Sequence, residues 1–262
     1  MRELKFNPDK PIIVGLAGKA LTGKTSAAEA ISPKAKIVSS DSGMIWDHIY
    51  FALPLYELAS IRKNVIGTRK ETRQLYGIHD TLYDLFGGSP IASVPSYEHM
   101  VELVRSIYTL PIEPEGIKPR GFLQKAGDLC REIEVNCFSD WAIRKANSIH
   151  RLYKSSLEED VQPSPFTVII SDVRMINEAE AILSSENGIL VCYTASDEVR
   201  KERMIKRDGQ LMSEEHLSHI SEMQMDEVEA MSDLVMNTDD KTVESQAALT
   251  AEFVKSMVNV YA

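Results

Sequence analysis

Ile12-Ile13-Val14-Gly15-Leu16-Ala17-Gly18-Lys19-Ala20-Leu21-Thr22-Gly23-Lys24-Thr25-Ser26 is the stretch on which the reading of this chain turns. An apolar run, read as a strand over Pro11–Leu16, leads into Gly18 to Thr25, which matches the pattern G-x-x-x-x-G-K-S/T at every fixed position. Helix-compatible Ser26-Ala27-Ala28-Glu29-Ala30-Ile31 follows. The two glycines let the backbone curl until successive N–H groups converge, and the start of a helix adds partial positive charge, so the unit forms a cradle for phosphate oxygens. In that cradle Gly18, Lys19, Ala20, Leu21, Thr22, Gly23, Lys24, Thr25 and Ser26 would bind ATP. Lys24 would reach the β and γ phosphates, and Thr25 would offer its hydroxyl to Mg2+. The competing explanation, a glycine-rich turn that matches by chance, has to account for the flanking strand and helix as well.

Outward from the loop, further strands are expected at Ala35–Ser40, Phe166–Ser171, Ile189–Tyr193 and Leu234–Asn237, alternating with longer periodic stretches. This alternation predicts an α/β fold with a five-stranded parallel sheet and helices on both faces. The interval between the second and third strands is far longer than one crossover requires, so a helical insertion is expected over about residues 62–160. It is punctuated by Gly87-Gly88-Ser89-Pro90 and by Pro95, Pro111, Pro114 and Pro119, and two of its helices are read at Gly121–Val135 and Ser139–Tyr153. Thr242–Val258 reads as a closing helix. Residues 1–262 are therefore read as a single domain that carries an insertion.

The composition, 44% hydrophobic and 26% charged over 262 residues, excludes collagen-like, mucin-like and wholly disordered chains. A net charge of −10 gives the chain no general attraction to nucleic acid or anionic lipid, so an anionic substrate must find a local positive pocket. Apolar runs are too short for a bilayer span, and Met1–Lys10 has no signal-peptide core. Cys130, Cys137 and Cys192 are odd in number and lack C-x-x-C spacing, which fits core thiols in a reducing, cytoplasmic setting.

A magnesium–nucleotide site on an open sheet calls for a carboxylate at a neighbouring strand end, and Phe166-Thr167-Val168-Ile169-Ile170-Ser171-Asp172 ends in one. Asp172 is thus the second candidate metal residue beside Thr25, unless it is only a helix cap. Arg174 would face the same crevice, or else pair with Glu178. Asp197–Arg207 reads as a helix with Arg200, Arg203 and Arg207 on one stripe, followed by Gly209-Gln210. A closing lid over about residues 197–222 would use such arginines to neutralise the transferred group and exclude water. A solvated basic face is the alternative. His216, His219 and Glu222 share helical spacing but lack the further ligands a zinc site needs.

Taken together, these residues resemble the P-loop nucleoside monophosphate kinases, and within them the phage-type deoxynucleoside monophosphate kinases. The resemblance is carried by Ile13–Lys19 running into the loop, Phe51-Ala52-Leu53-Pro54-Leu55, and Phe122-Leu123-Gln124-Lys125-Ala126-Gly127-Asp128-Leu129-Cys130-Arg131. It continues through Asp140-Trp141, Asp172-Val173-Arg174 with Asn177-Glu178, His219-Ile220-Ser221-Glu222 and Asp233-Leu234-Val235-Met236-Asn237, in the family's order over nearly the whole chain. It implies a P-loop kinase fold and the transfer of the γ-phosphoryl of ATP, with Mg2+, to a deoxynucleoside monophosphate. It further implies a monophosphate lying between the insertion and the Gln124–Trp141 region, with Arg131 on its phosphate and Trp141 stacked on its base, and Asn237 and Thr238 in an adenine-side loop. Two positions depart from the family: Tyr56 stands where Lys is frequent, and Thr25 where Asp is common.

From the residues alone, Trp141 equally reads as a core aromatic, and Arg131 with Glu132 and Glu134 as a surface charge cluster. The basic stretch Arg62, Lys63, Arg69, Lys70 and Arg73 reads either as a steering surface or as a solvated face. Two other functions remain open: a P-loop kinase of another small phosphorylated acceptor, such as dephospho-coenzyme A, and a non-metabolic ATP-binding switch. The accepted base, the ribose or deoxyribose preference and the oligomeric state are not set by the sequence, and a homodimer is compatible with it.

Overall fold

A computed structural model describes residues 6–32, 38–39, 44–64, 69–87, 95–158, 164–208 and 224–259. The chain divides into two compact units, 1–50 with 142–262, and 51–141. The second unit thus begins and ends earlier than the expected insertion at 62–160.

The first unit is built on a sheet with strands β1 (Ile12–Ala17), β2 (Val38–Ser39), β3 (Ile45–Ile49), β4 (Phe166–Val173), β5 (Gly188–Thr194) and β6 (Leu234–Asn237) in the order β2-β3-β4-β1-β5-β6. Five of these run parallel, and only β2 pairs antiparallel, at the edge. Near-continuous burial of β1, β4 and β5 is what a parallel sheet covered on both faces requires. One face carries Ile12, Val14, Leu16, Trp46, Ile169, Val191 and Tyr193 against α1 (Lys24–Ile31) and the C-terminal helix Val243–Asn259. The other face is covered by α7 (Ile176–Leu183), which packs on β1 and β5.

The expected second parallel strand is corrected. Of Ala35–Ser40 only Val38–Ser39 is described as strand, and it runs antiparallel, whereas the parallel partner of β4 is Ile45–Ile49. Asp47 and His48 interrupt the apolar pattern there, yet both are buried. Asp47 Oδ1 accepts from the His48 N–H at 2.8 Å, and His48 Nε2 meets Ser171 Oγ of β4 at 2.7 Å.

The second unit is helical: α2 (Leu53–Asn64), α3 (Lys70–Leu85), α4 (Tyr97–Thr109), α5 (Arg120–Ile133) and the first turn of α6 (Cys137–Ser155). Leu58, Ile78, Leu82, Leu103, Ile107, Phe122 and Phe138 fill its core. After α7 the first unit adds α8 (Asp197–Asp208), α9 (Met225–Met231) and α10 (Val243–Asn259). Among the described residues no helix is long and apolar enough to cross a membrane.

The start of β1 is held by one amide. Asn187, buried just ahead of β5, accepts from the Asn7 N–H at 2.8 Å through Oδ1 and donates to the carbonyls of Asn7 (2.7 Å) and Lys10 (3.1 Å) through Nδ2. Asn187→Ala leaves these backbone groups without that partner, so urea unfolding should show a loss of about 1–3 kcal/mol. An unchanged midpoint would mean that the N-terminal segment does not depend on this amide.

Candidate phosphate-binding site

The loop between β1 and α1 has backbone angles that few side chains tolerate: φ is +141° at Gly18, +69° at Leu21 and +96° at Gly23. Both motif glycines are also needed for space. A Cβ at Gly18 would collide with the carbonyl oxygen of Tyr193, and one at Gly23 would come within 2.5 Å of Gln246 Oε1 on α10. Lys24 and Thr25 then open α1, with Lys24 only 4% exposed and its ammonium donating to the Lys19 carbonyl at 3.1 Å. Thr25 and Ser26 are exposed in the first turn. Lys19 reaches outward to Asp226 on α9, Nζ to Oδ1 at 3.3 Å.

Backbone carbonyls in such a loop that no strand or helix pairs need donors of their own. Arg200 Nε donates to the Ala20 carbonyl at 2.9 Å, while Nη1 of Arg200 holds Asp197 at 3.0 Å. Arg203 Nη1 donates to the Leu21 carbonyl at 3.2 Å. Thr238, fully buried just after β6, shares its hydroxyl hydrogen between the carbonyls of Thr22 (2.9 Å) and Thr194 (3.0 Å). Arg203 closes the ring by donating to Thr238 Oγ1 at 3.1 Å and to the Thr238 carbonyl at 2.6 Å. Arg200 and Arg203 therefore grip the back of the loop rather than lying across it, a different placement from the expected closing stripe. Arg207 is exposed further along α8, and residues 209–222 of the expected lid, with His216, His219 and Glu222, lie outside the described residues.

Asp172 is half-buried in the last two residues of β4. The β4 end lies beside the β1 end, where Ala17 pairs with Val173. α1, which follows β1, covers one face of the sheet and α7, which follows β4, the other, so the two connections diverge to opposite faces from adjacent strands. In α/β sheets ligands bind at such a divergence, and here the loop after β1 and Asp172 of β4 lie at the carboxyl ends of two adjacent strands. Arg174 follows, and the buried Glu178 carboxylate accepts from the backbone N–H groups of Arg174 (2.9 Å) and Met175 (3.1 Å), capping α7.

Asn237 is exposed at the end of β6. The next residues form a tight turn in which Asp239 Oδ1 accepts from the Ser196 N–H at 2.8 Å, a bond that lowers the Asp239 pKa. Cys192 pairs with Ala17 in register, and burial pushes its thiol up to about 12, so it supplies no thiolate beside the loop. Among the described residues no group of three or more His, Cys, Asp or Glu side chains is arranged to hold a metal.

In the second unit, Trp141 is 3% exposed and its Nε1 donates to Asp84 Oδ2 at 2.8 Å. A stacking platform must present a face, so Trp141 belongs to the helical core and not to a base-binding surface. Arg62 and Lys63 are also turned to structure: Arg62 donates to the Leu110 carbonyl, and Lys63 to those of Pro114 and Ile117. Arg131 is half-buried in the last turn of α5, its guanidinium carbon 4.8 Å from the centre of the Phe138 ring.

The sequence reading did not single out Gln246 or the His48–Ser171 pair. Gln246 had one signal, an amide set among the apolar positions of α10, where it is buried against Gly23 and donates to the Lys241 carbonyl at 3.1 Å.

No family model and no curated protein matches this chain. Among solved structures, the crystal structure of TT1252 from Thermus thermophilus overlaps 94% of this chain and 98% of its own at 16% identity, with a TM-score of 0.42. The functional reading therefore rests on this chain's own residues.

If Thr238 holds the back of the loop, Thr238→Val removes a buried donor from two carbonyls and an acceptor from Arg203. Urea unfolding should register a loss of about 1–3 kcal/mol, with Thr238→Ser close to wild type. Equal stability of the Val and Ser variants would show that the hydroxyl does not hold the loop.

Proposed function

We propose that this chain is an ATP-dependent kinase of the P-loop type that moves the γ-phosphoryl group of ATP onto a small phosphorylated acceptor, with a deoxynucleoside monophosphate as the acceptor class. One observation carries the reading: a G-x-x-x-x-G-K-T loop, wound with positive φ at both motif glycines, stands across a divergent strand pair from a half-buried aspartate. The acceptor class comes from the family resemblance, and the phosphoryl chemistry from the loop.

The residues suit the reaction. Transfer of a phosphoryl group requires positioning and charge neutralisation more than a protein nucleophile. The loop N–H groups and Lys24 hold and orient the β and γ phosphates, while Thr25 and Asp172 supply the hard oxygen donors that suit Mg2+, an ion that keeps most of its remaining ligands as water and phosphate oxygen. When bound, that ion would neutralise charge between the β and γ oxygens. Arg200 and Arg203 act by holding the loop's shape, whereas Arg174 and Arg207 are the candidates for charge developing on the transferred group. Asn237 and Thr238 border the adenine side. For the acceptor, Arg131 takes the phosphate, and Trp141 is withdrawn as a stacking residue because it is buried.

A coupled ADP-release assay with ATP, Mg2+ and a panel of nucleoside monophosphates tests this. ADP should form only with an acceptor present, and deoxynucleotides should be used better than ribonucleotides. Slow ADP formation that no acceptor accelerates would identify a switch ATPase, and use of dephospho-coenzyme A alone would identify a kinase of another acceptor. Lys24→Ala should stay folded by thermal melting and lose about 10- to 100-fold in turnover, the equivalent of about 1.5–3 kcal/mol of charged hydrogen bonding. Near-normal turnover would sink the loop assignment.

Asp172→Asn should shift the Mg2+ dependence to higher concentration, because a neutral amide holds metal-bound water less tightly. An unchanged Mg2+ titration would reduce Asp172 to a cap.

A further inference from the structure

We propose that the exposed face of α3 is a self-complementary docking surface, on which a second copy of this chain pairs antiparallel about a two-fold axis beside Tyr76. Pairing of this kind does not depend on the kinase reading, and it gives the basic residues at the start of α3 a partner.

One side of α3 belongs to its own unit: Gln74, Ile78, Leu82 and Leu85 are buried, and the helix packs on α2 and α4. The opposite side carries Arg69 at the N-cap, then Arg73, Tyr76, Asp80 and Tyr83, all exposed and spaced four, three, four and three residues apart. That spacing keeps side chains in one line along a pair of helices. The middle and far part of the line is aromatic: Tyr76 is 69% exposed and Tyr83 44%, and the Tyr83 ring stacks on that of His79 with 6.1 Å between centroids. Its two ends have opposite charge, Arg69, Lys70 and Arg73 at the start and Asp80 and Asp84 toward the finish, all exposed. Glu71, in the first turn, stands off this line.

Within one copy this order of charge is unfavourable. The helix dipole favours anions at the N-terminus and cations at the C-terminus, the reverse of what α3 carries. Arg69 and Arg73 are four residues apart, as are Asp80 and Asp84, and at that spacing like charges repel. Arg73 and Asp80 are seven residues apart, about 10 Å along the axis, too far to pair with each other. Asp80 Oδ1 meets the adjoining His79 Nδ1 at 3.2 Å, and the Trp141 indole holds Asp84 at 2.8 Å, so both carboxylates stay at their own end. An antiparallel copy relieves both repulsions at once. With the axis beside Tyr76, Arg73 of each copy faces Asp80 of the other, and Arg69 faces Asp84. The two Tyr76 rings meet at the axis, and each Tyr83 lies by the other copy's basic end, where a cation over the ring adds attraction. A parallel copy would set like charge against like, so the charge order selects the orientation. Single-stranded nucleic acid, which aromatic and basic side chains in one line also suit, would meet Asp80 and Asp84 with its phosphates. One face of one helix is a small interface, so the dimer is weak.

The test is sedimentation velocity of the full chain over about 1–200 µM, the range in which a small interface associates. Wild type should pass from monomer to dimer across it. Arg73→Asp and Asp80→Arg each set like charges opposite one another and should each weaken the dimer about 10-fold or more. Combining the two in one chain should restore wild-type association. An equimolar mixture of the two single variants should form a heterodimer, because every one of these pairs is then again opposite in charge, and its formation also shows that both variants fold. Tyr76→Ala should weaken the dimer about 10-fold, as removal of a central aromatic does, with an unchanged thermal melt. Wild type that stays monomeric to the top of the range overturns the proposal. So does a dimer that neither charge variant weakens, which would lie on another surface, and so does a loss that neither the double variant nor the mixture restores. A chain that stays monomeric and binds single-stranded oligothymidylate through Tyr76 would give the face to nucleic acid instead.

Discussion

The loop after β1 turns through positive φ at both of its motif glycines, and backbone carbonyls that no strand or helix pairs must be satisfied by donors from elsewhere. In this chain Ala20, Leu21 and Thr22 carry three successive such carbonyls, and each receives a donor: Arg200, Arg203 and Thr238 in turn. None of these donors is near the loop in sequence. They come from α8, after β5, and from the residue that follows β6, so the loop is held in its shape by the β1-β5-β6 side of the sheet. The loop is local in sequence but its stability is not.

This dependence links the sheet to the site. Thr238 N–H and Oγ1 both reach the Thr194 carbonyl at the end of β5, which fixes the register of the β6 end against the loop. On the other side of β1, the close approach of β4 carries Asp172 to the same end of the sheet. Glu178 then caps α7 through the N–H groups of Arg174 and Met175, so the direction in which the chain leaves Asp172 is also set. The adjacent strands β1 and β4 send their connections to opposite faces of the sheet, the arrangement in which α/β sheets open a crevice at the carboxyl ends of their strands.

How much of this the sequence discloses depends on the range of the interactions. The loop, its strand and its helix form one contiguous stretch, and continuous apolar runs marked β4 and β5 because each is covered on both faces, while the short Leu234-Val235-Met236 run marked β6 at the edge. Ile45–Ile49 escaped for the opposite reason: Asp47 and His48 break the run, and what makes them tolerable inside, a bond within the dipeptide and another to Ser171, joins residues far apart in the chain. Trp141 shows the same limit. A tryptophan on a helix is compatible with a core and with a platform, and only Asp84, more than fifty positions earlier, decides it by accepting the indole N–H at 2.8 Å. The pairing of Gln246 with Gly23 was likewise beyond any local pattern, since a glycine explains its own φ and not what stands over it.

The arginines of α8 were read in the sequence as charge for phosphate and are found in the structure as donors to carbonyls, and the two roles are physically compatible. A guanidinium bonded to a neutral carbonyl keeps its full charge. Arg200 and Arg203, held at the back of the loop, therefore add positive potential to the same cradle that Lys24 lines, within a chain whose net charge is −10. Asp197 offsets part of the Arg200 charge, and Asp226 part of that of Lys19, but both carboxylates are exposed and screened by water, whereas Lys24 is buried at the centre. Around this loop an acidic chain thus gathers positive charge on groups fixed by hydrogen bonds to the loop's own backbone. Such fixed groups need little reorganisation when an anion arrives, which is the condition under which electrostatic stabilisation is most effective.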